Sequence, residues 1–170
     1  MLASGSAWRI LVAEHNRLRQ LSAAIQQVLD GDGWRQPGPQ LQLLRRRIVE
    51  FQDFEAATHR PKGVVLMDSM RGRSEQADQF LEILDHESRN CDELMSRALA
   101  LLDAIGPDGA GDAAEVASLL QQHRELLLGQ LDREDTVLRS YTAQLLTNEE
   151  WSAVVSSISS VVQKGKRSRA

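Results

Sequence analysis

Residues 8–29, WRILVAEHNRLRQLSAAIQQVL, decide the fold because their apolar side chains repeat with a helical period. Alternating steps of three and four residues define a seam formed by Trp8, Leu11, His15, Leu18, Ser22, Ile25 and Leu29. This spacing is typical of a helix that packs one face in a bundle. The sequence therefore predicts a first long helix, which begins near Ser6 and ends before the Gly- and Pro-rich segment 31–39.

A second helix is predicted to begin at Pro39, since proline suits the first helical position. Its predicted seam consists of Leu44, Ile48, Phe51, Glu55 and His59. Pro61 and Gly63 should disturb this helix, because proline lacks the N–H that a helix interior uses. The following segment, 64–70, is either a kinked continuation or a separate turn.

Capping residues indicate where two further long helices begin. Ser74 is a candidate N-cap for a third helix, which should stop before the Gly-rich segment 106–111. Its predicted seam consists of Ile83, His86, Asn90, Leu94 and Leu101. Asp112 and Glu115 have capping-box spacing at the start of a fourth helix. The seam predicted there consists of Val116, Leu120, His123, Leu127, Gln130, Glu134, Val137 and Tyr141.

A second capping box, Thr147 with Glu150, predicts a short fifth helix. Four long helices joined by short breaks favour an all-α, up-down-up-down four-helix bundle with this short fifth helix at its C-terminus. The bundle is expected to span residues 1–163, followed by a basic tail at 164–170. The apolar face of the fifth helix would lie against the bundle or form a homodimer.

Composition excludes several classes of protein. A chain of 170 residues with a net charge of −4 fits one globular domain without a nucleic-acid partner. No uncharged run approaches the ~20 residues of a membrane helix, and the first residues lack a signal-peptide pattern, so a cytoplasmic location without a membrane partner is expected. Cys91 is the only cysteine, which fits a reducing compartment. Motifs of nucleophilic hydrolases and phosphate-binding loops are absent, which disfavours hydrolytic catalysis.

The four histidines lie on or beside the predicted seams, one on each long helix. With antiparallel helices that rise about 1.5 Å per residue, one level of the bundle should contain His15, His59, His86 and Glu134. His123 should lie about two helical turns away from that level and outside the site. Three imidazoles and one carboxylate from facing helices are donors suited to a first-row metal ion. The alternative is a set of buried polar residues that hydrogen-bond to one another.

Four segments resemble the motifs of hemerythrin-like (HHE cation-binding) domains, and the resemblance covers about residues 8–160. They are LVAEHNRLRQL, ATHRPKGVVLM, LDHESRN and GQLDREDTVLRSYTAQLLTNEEW, one in each long helix. The resemblance implies a bundle with a non-haem di-iron centre for oxygen binding, oxygen or redox sensing, iron handling, or nitric-oxide and iron–sulfur repair. It also implies that the metal ligands are His15, His59, His86 and Glu134, with Asp135 as a neighbour.

Two positions depart from the family pattern. Gly63 stands where a bridging carboxylate is expected four residues after His59, and Gln130 stands where a histidine is expected. Asn90 occupies the position of a further histidine that some members have. These departures predict one iron ion rather than two, with zinc or no metal as alternatives, and Glu55 as a candidate replacement carboxylate.

Two hypotheses about function follow from these residues. The first is a metal-binding domain that binds or senses a small gaseous or redox ligand, or handles iron. The second is a metal-free bundle that serves as an interaction or dimerisation module.

Overall fold

The computed structural model describes residues 2–107 and 112–167, and all regular structure in these ranges is helical. Five helices, α1 to α5, follow one another along the described residues, with a short 3₁₀ helix, Gly33–Arg35, between α1 and α2. Their bounds are Leu2–Leu29 for α1; Pro39–Phe54, Glu55–His59 and Arg60–Met70 for α2; Glu75–Asp103 for α3; Ala113–Arg133, Glu134–Leu138 and Arg139–Leu145 for α4; and Asn148–Arg167 for α5. The predicted all-α fold class is confirmed.

The predicted capping residues bond to the starts of their helices. Ser74 Oγ and Asp112 Oδ1 each accept a hydrogen bond from the backbone N–H three residues later, at 3.1 and 3.0 Å. Thr147 and Glu150 form a complete capping box. The Thr147 N–H donates to Glu150 Oε2 at 2.8 Å, and the Glu150 N–H donates to Thr147 Oγ1 at 3.3 Å. Local sequence chemistry therefore fixes where these three helices begin.

The helices form two compact units. Of the described residues, unit 1 contains 2–17, 53–84 and 131–167, and unit 2 contains 18–52, 85–107 and 112–130. Unit 1 thus contains the first part of α1 and of α3, together with the last part of α2 and of α4. This alternation is the one expected of the predicted up-down-up-down topology.

The core of unit 1 contains residues from all five helices. Its large members are Trp8, Leu11, Leu66, Met70, Leu81, Leu84, Leu138, Leu146, Trp151, Val154 and Ile158. Trp8 Nε1 donates to Thr142 Oγ1 at 3.2 Å, which satisfies two buried polar groups. The apolar face of α5 that suggested a homodimer packs against this core within one chain.

Unit 2 has an apolar core of its own. Trp34 is fully buried, and its Nε1 donates to the Leu29 carbonyl oxygen at 3.3 Å. His123, also buried, packs edge-on against Phe51 with 5.0 Å between the ring centroids. Other buried members of unit 2 are Leu44, Ile48, Met95, Leu102, Val116, Leu119, Leu120 and Leu127.

The face that α3 buries differs from the predicted one. Ile83 is 51% exposed, and His86 is exposed as well. The buried residues of α3 are Ala77, Leu81, Leu84, Cys91, Met95, Ala98 and Leu102. The prediction for this helix is wrong because α3 carries two neighbouring stripes with apolar residues. The residues of the buried stripe are all apolar, whereas the predicted stripe is interrupted by His86 and Asn90.

In α4 the predicted seam is buried as far as Glu134 except at Gln130, which is half-buried beside the buried Leu131, and after Glu134 the buried face shifts by one residue. Leu138 and Thr142 are buried, whereas the predicted Val137 is 39% exposed and Tyr141 is half-buried. The turn Glu134–Leu138 is π-helical. A π turn contains one extra residue, so every later side chain is rotated by about 100° relative to an uninterrupted α-helix.

Within the described residues, no helix combines the length and apolarity needed to cross a bilayer. α5 extends to Arg167, so the first part of the predicted basic tail is helical. Residues 108–111 of the predicted Gly-rich break and residues 168–170 of the predicted tail lie outside the described residues.

Candidate metal centre

Two π-helical turns lead into the polar cluster of unit 1, and the first of them is Glu55–His59 in α2. Pro61 follows this turn and has no N–H for the carbonyl four residues before it. The residue before it, Arg60, donates its N–H to the Glu55 carbonyl, which is five residues back and not four. α2 then continues to Met70, so the disturbance predicted at Pro61 widens the helix without ending it. His59, the last residue of the turn, is 6% exposed.

The second π turn, Glu134–Leu138, is in α4. The Arg139 N–H bonds to the Glu134 carbonyl, again five residues back. Thr136 Oγ1 donates to the Asp132 carbonyl at 2.7 Å, and such side-chain bonds compete with the backbone ladder of a helix. Glu134 is 8% exposed. Since π turns are frequent at functional sites, their presence next to both His59 and Glu134 marks this cluster for closer inspection.

His15, His59 and Glu134 form a buried cluster of potential metal ligands. One donor atom from each residue lies within 4.8 Å of the donor atoms of the other two. His15 Nε2 is 3.1 Å from Glu134 Oε2. The imidazole rings of His15 and His59 have centroids 4.8 Å apart and planes at 75°.

A carboxylate contacts the Nδ1 atom of each of the two histidines. His15 Nδ1 is 2.6 Å from Asp135 Oδ1, and His59 Nδ1 is 3.2 Å from Glu14 Oε2. An ionised carboxylate only accepts hydrogen bonds, so Nδ1 donates in both contacts. In a neutral imidazole this leaves Nε2 with its lone pair available, which is the usual arrangement of histidines that bind metals.

The surroundings of the His15 Nε2 atom indicate whether the cluster fits a metal ion. This atom is buried and has no hydrogen-bond partner, and Glu134 Oε2 lies 3.1 Å away. Two donors at right angles, each about 2.1 Å from one ion, are about 3 Å apart. The donor types, and the spacing of the His15–Glu134 pair, therefore fit a first-row metal ion.

A buried lysine compensates part of the negative charge. Lys62 is 5% exposed, and its Nζ donates to Glu14 Oε1 and to the Thr58 carbonyl. Burial alone would raise the pKa of Glu14, but the hydrogen bonds and charges of His59 and Lys62 outweigh burial and lower this pKa. Glu14 is therefore ionised at neutral pH.

The carboxylates next to His15 change its protonation. Burial disfavours the imidazolium and lowers the pKa of His15, but Glu134 and Asp135 favour the charged form more strongly. The pKa of His15 is thus raised above its usual value. In the absence of a metal ion, a proton on Nε2 competes for the position that the ion would take.

The structure brings together His15, His59 and Glu134, but not His86. His86 is exposed on α3, where its Nε2 is 3.2 Å from the Asn90 side-chain nitrogen. It lies outside the cluster because α3 buries the neighbouring stripe.

The other predicted site residues have partners elsewhere. Glu55, the candidate replacement carboxylate, pairs with Arg60. The Gln130 amide nitrogen donates to Ser88 Oγ at 3.0 Å, within unit 2. His123 is also in unit 2, and burial there lowers its pKa to about 4. Its predicted place outside the site agrees with the cluster geometry.

Sequence reasoning gave no role to Glu14 or Lys62. Glu14 directly precedes His15, so a helical seam drawn through His15 passes beside it. Lys62 had a detectable signal, because it follows His59 by three residues and precedes Leu66 by four, which is the spacing of one helix face. A lysine on a predicted buried face next to a candidate ligand indicates an internal ion pair.

A protein-family model described as the hemerythrin HHE cation-binding domain matches residues 6–141. The matched range includes all residues of the cluster and both π turns. Comparisons with curated proteins and with solved structures gave no match.

Proposed function

The chain belongs to the hemerythrin HHE cation-binding family, and we propose that it binds one divalent first-row metal ion, iron above all, through His15, His59 and Glu134. The observation that carries this proposal is the buried Nε2 of His15, which faces Glu134 without a hydrogen bond. Two imidazoles and one carboxylate are the donor set of many non-haem iron(II) sites.

The charge of the cluster supports one divalent ion rather than two. Glu14, Glu134 and Asp135 carry three negative charges and Lys62 one positive charge, which leaves −2 when both histidines are neutral. A single divalent ion neutralises this charge, whereas two would leave an excess of buried positive charge. Uncompensated buried charge is strongly unfavourable.

The chain's own residues prepare the site for such an ion. Asp135 and Glu14 hold the two imidazoles with Nδ1 protonated, so that both Nε2 atoms can act as donors. His15 releases its proton when the ion binds, which couples metal affinity to pH. When bound, the metal supplies open coordination positions for a small exogenous ligand. We infer a role in sensing a gaseous or redox ligand, or in iron handling.

Elemental analysis of protein purified without chelator or affinity metal tests the proposal. Metal content is measured before and after anaerobic incubation with ferrous iron, followed by desalting. About one iron per chain is expected, and His59→Ala should remove it while the far-ultraviolet helix signal persists. A folded wild-type protein that retains neither iron nor zinc would refute metal binding.

A metal-free interaction module is the second candidate function. The observation that favours it is that Asp135 and Glu134 can pair with protonated His15, while Lys62 pairs with Glu14. Much of the buried charge is then compensated without an ion. The same elemental analysis decides between the candidates, because this one requires a folded protein that stays free of metal.

A further inference from the structure

We propose that Lys62 selects the charge of the ion that the cluster accepts, favouring a divalent over a trivalent ion. This inference rests on the metal binding proposed above and assigns a determinant of specificity within that site. Nothing in the family match assigns a role to a lysine at this position.

The environment of Lys62 is unusual for a lysine. The residue is 5% exposed and lies between Pro61 and Gly63 in α2. A lysine is almost never this buried unless it is paired, and Nζ donates to Glu14 Oε1 and, at 2.8 Å, to the Thr58 carbonyl. These two contacts fix the ammonium group in place.

Glu14 links this ammonium to the candidate metal ligands. Its other carboxylate oxygen, Oε2, is 3.2 Å from His59 Nδ1, and His59 contributes a donor atom to the cluster. One carboxylate and one imidazole therefore separate the charge of Lys62 from the ion. The three residues are all at least nine-tenths buried, so water and salt screen this charge only weakly.

Coulomb's law gives the direction of the effect and its approximate size. The ammonium repels any cation in the cluster, and the repulsion grows with the charge of the ion. At an effective dielectric constant of about 20 and a separation of roughly 8 to 12 Å, each unit of ion charge lowers affinity by about tenfold or more. A trivalent ion is therefore disfavoured by at least about tenfold relative to a divalent one.

Zinc and gallium test this selectivity, because Zn²⁺ and Ga³⁺ differ in charge and neither changes its oxidation state under the assay conditions. Their affinities are measured by competition with a chelator for the wild type, for Lys62→Met, which removes the charge, and for Lys62→Arg, which retains it. Lys62→Met should raise the ratio of Ga³⁺ to Zn²⁺ affinity by about tenfold or more. Lys62→Arg should stay within about threefold of the wild type.

A second variant covers the case in which Lys62→Met does not fold, since that change leaves Glu14 buried without its lysine. Lys62→Gln is neutral but retains an amide N–H that can donate to Glu14 Oε1, so Lys62→Gln is compared with the wild type. The same rise of about tenfold in the Ga³⁺ to Zn²⁺ ratio is expected between these two. The iron-loaded proteins give a second readout: a tenfold change corresponds to a reduction potential about 60 mV lower without the lysine.

The outcomes separate this inference from the proposed function. A ratio that stays the same on removal of Lys62, in a protein that still binds zinc, overturns the inference and leaves metal binding intact. A wild-type protein that binds neither zinc nor iron overturns both. A rise in the ratio that Lys62→Arg shows as well would assign the effect to packing and not to charge, and would also overturn the inference.

Discussion

His15 in unit 1 and His123 in unit 2 are almost equally buried, at 1% and 3% exposure, yet their pKa values move in opposite directions. Burial lowers the pKa of both side chains. Around His15, the carboxylates of Glu134 and Asp135 outweigh burial and raise the pKa. Around His123, Asp92 offsets burial only in part, and the pKa falls to about 4. Burial of a histidine is therefore not evidence of a ligand, and the neighbouring charges distinguish the two cases.

Metal content gives the largest expected difference between the two units. His59→Ala removes one of the three proposed donors, so stoichiometric binding of ferrous iron should be lost. His123→Ala is the matched control, because it truncates a histidine of similar burial in unit 2. That variant should keep its metal while losing about 2 to 4 kcal/mol of stability, as other large truncations in a core do. Equal loss of metal in both variants would break the comparison.

The pH dependence of unfolding should reveal the lowered pKa of His123 in unit 2. Its pKa is about 4 in the folded chain and about 6.5 in the unfolded chain, so the unfolded state binds more protons between these values. Stability should then fall as the pH drops from about 6.5 to about 4, by up to about 3 kcal/mol. Urea titrations at several pH values measure this slope. His123→Phe keeps a ring against Phe51 and should flatten it; an unchanged slope would count against the assignment.

A smaller effect is expected at the carboxylate behind His15. Asp135→Asn removes the negative charge that holds the imidazole, and loss of such a partner commonly costs 10- to 100-fold in metal affinity, or about 1.4 to 2.8 kcal/mol. Asp132→Asn is the control, because Asp132 is an exposed aspartate three residues earlier in α4. Calorimetric titration with zinc should give a control affinity close to that of the wild type. A comparable loss in both variants would point to general charge and not to positioning.

The smallest expected effect is a pH slope of opposite sign in the metal-free protein. Because the pKa of His15 is raised in the folded state, its contribution to stability is complete below about pH 6.5 and is lost as the pH rises through the folded value. His15→Gln removes this contribution, so its thermal midpoint should decline less than that of the wild type above neutral pH. A steeper decline in the variant would contradict the assigned direction.

Local chemistry explains which parts of the fold were predictable. The seam of α1 and the capping box of α5 depend on residues within one or two helical turns, and both predictions agree with the structure. The buried face of α3 was misassigned because two neighbouring stripes contain apolar residues, and the prediction followed the one through His86 and Asn90 although the other is more apolar. That single ambiguity accounts for the inclusion of His86 in the predicted site.

The candidate site was predicted as far as helical periodicity is regular. His15 and Glu134 lie on regular stretches of their predicted seams, His59 is buried although it ends a π turn, and the three residues lie in one cluster. Beyond Glu134 the π turn adds one residue, so Val137 and Tyr141 of the predicted seam are not buried. The roles of Glu14 and Lys62 depend on a contact between residues 48 positions apart, which no periodicity in one helix encodes.

The packing of α5 gives the cluster a mechanical connection to the surface of unit 1. α5 contacts both the Arg60–Met70 segment and the π turn that ends at His59. The opposite side of α5 is exposed and rich in serine, including Ser152, Ser156, Ser157, Ser159 and Ser160. α5 therefore joins the segment that carries the proposed ligand His59 to an exposed, serine-rich surface of unit 1.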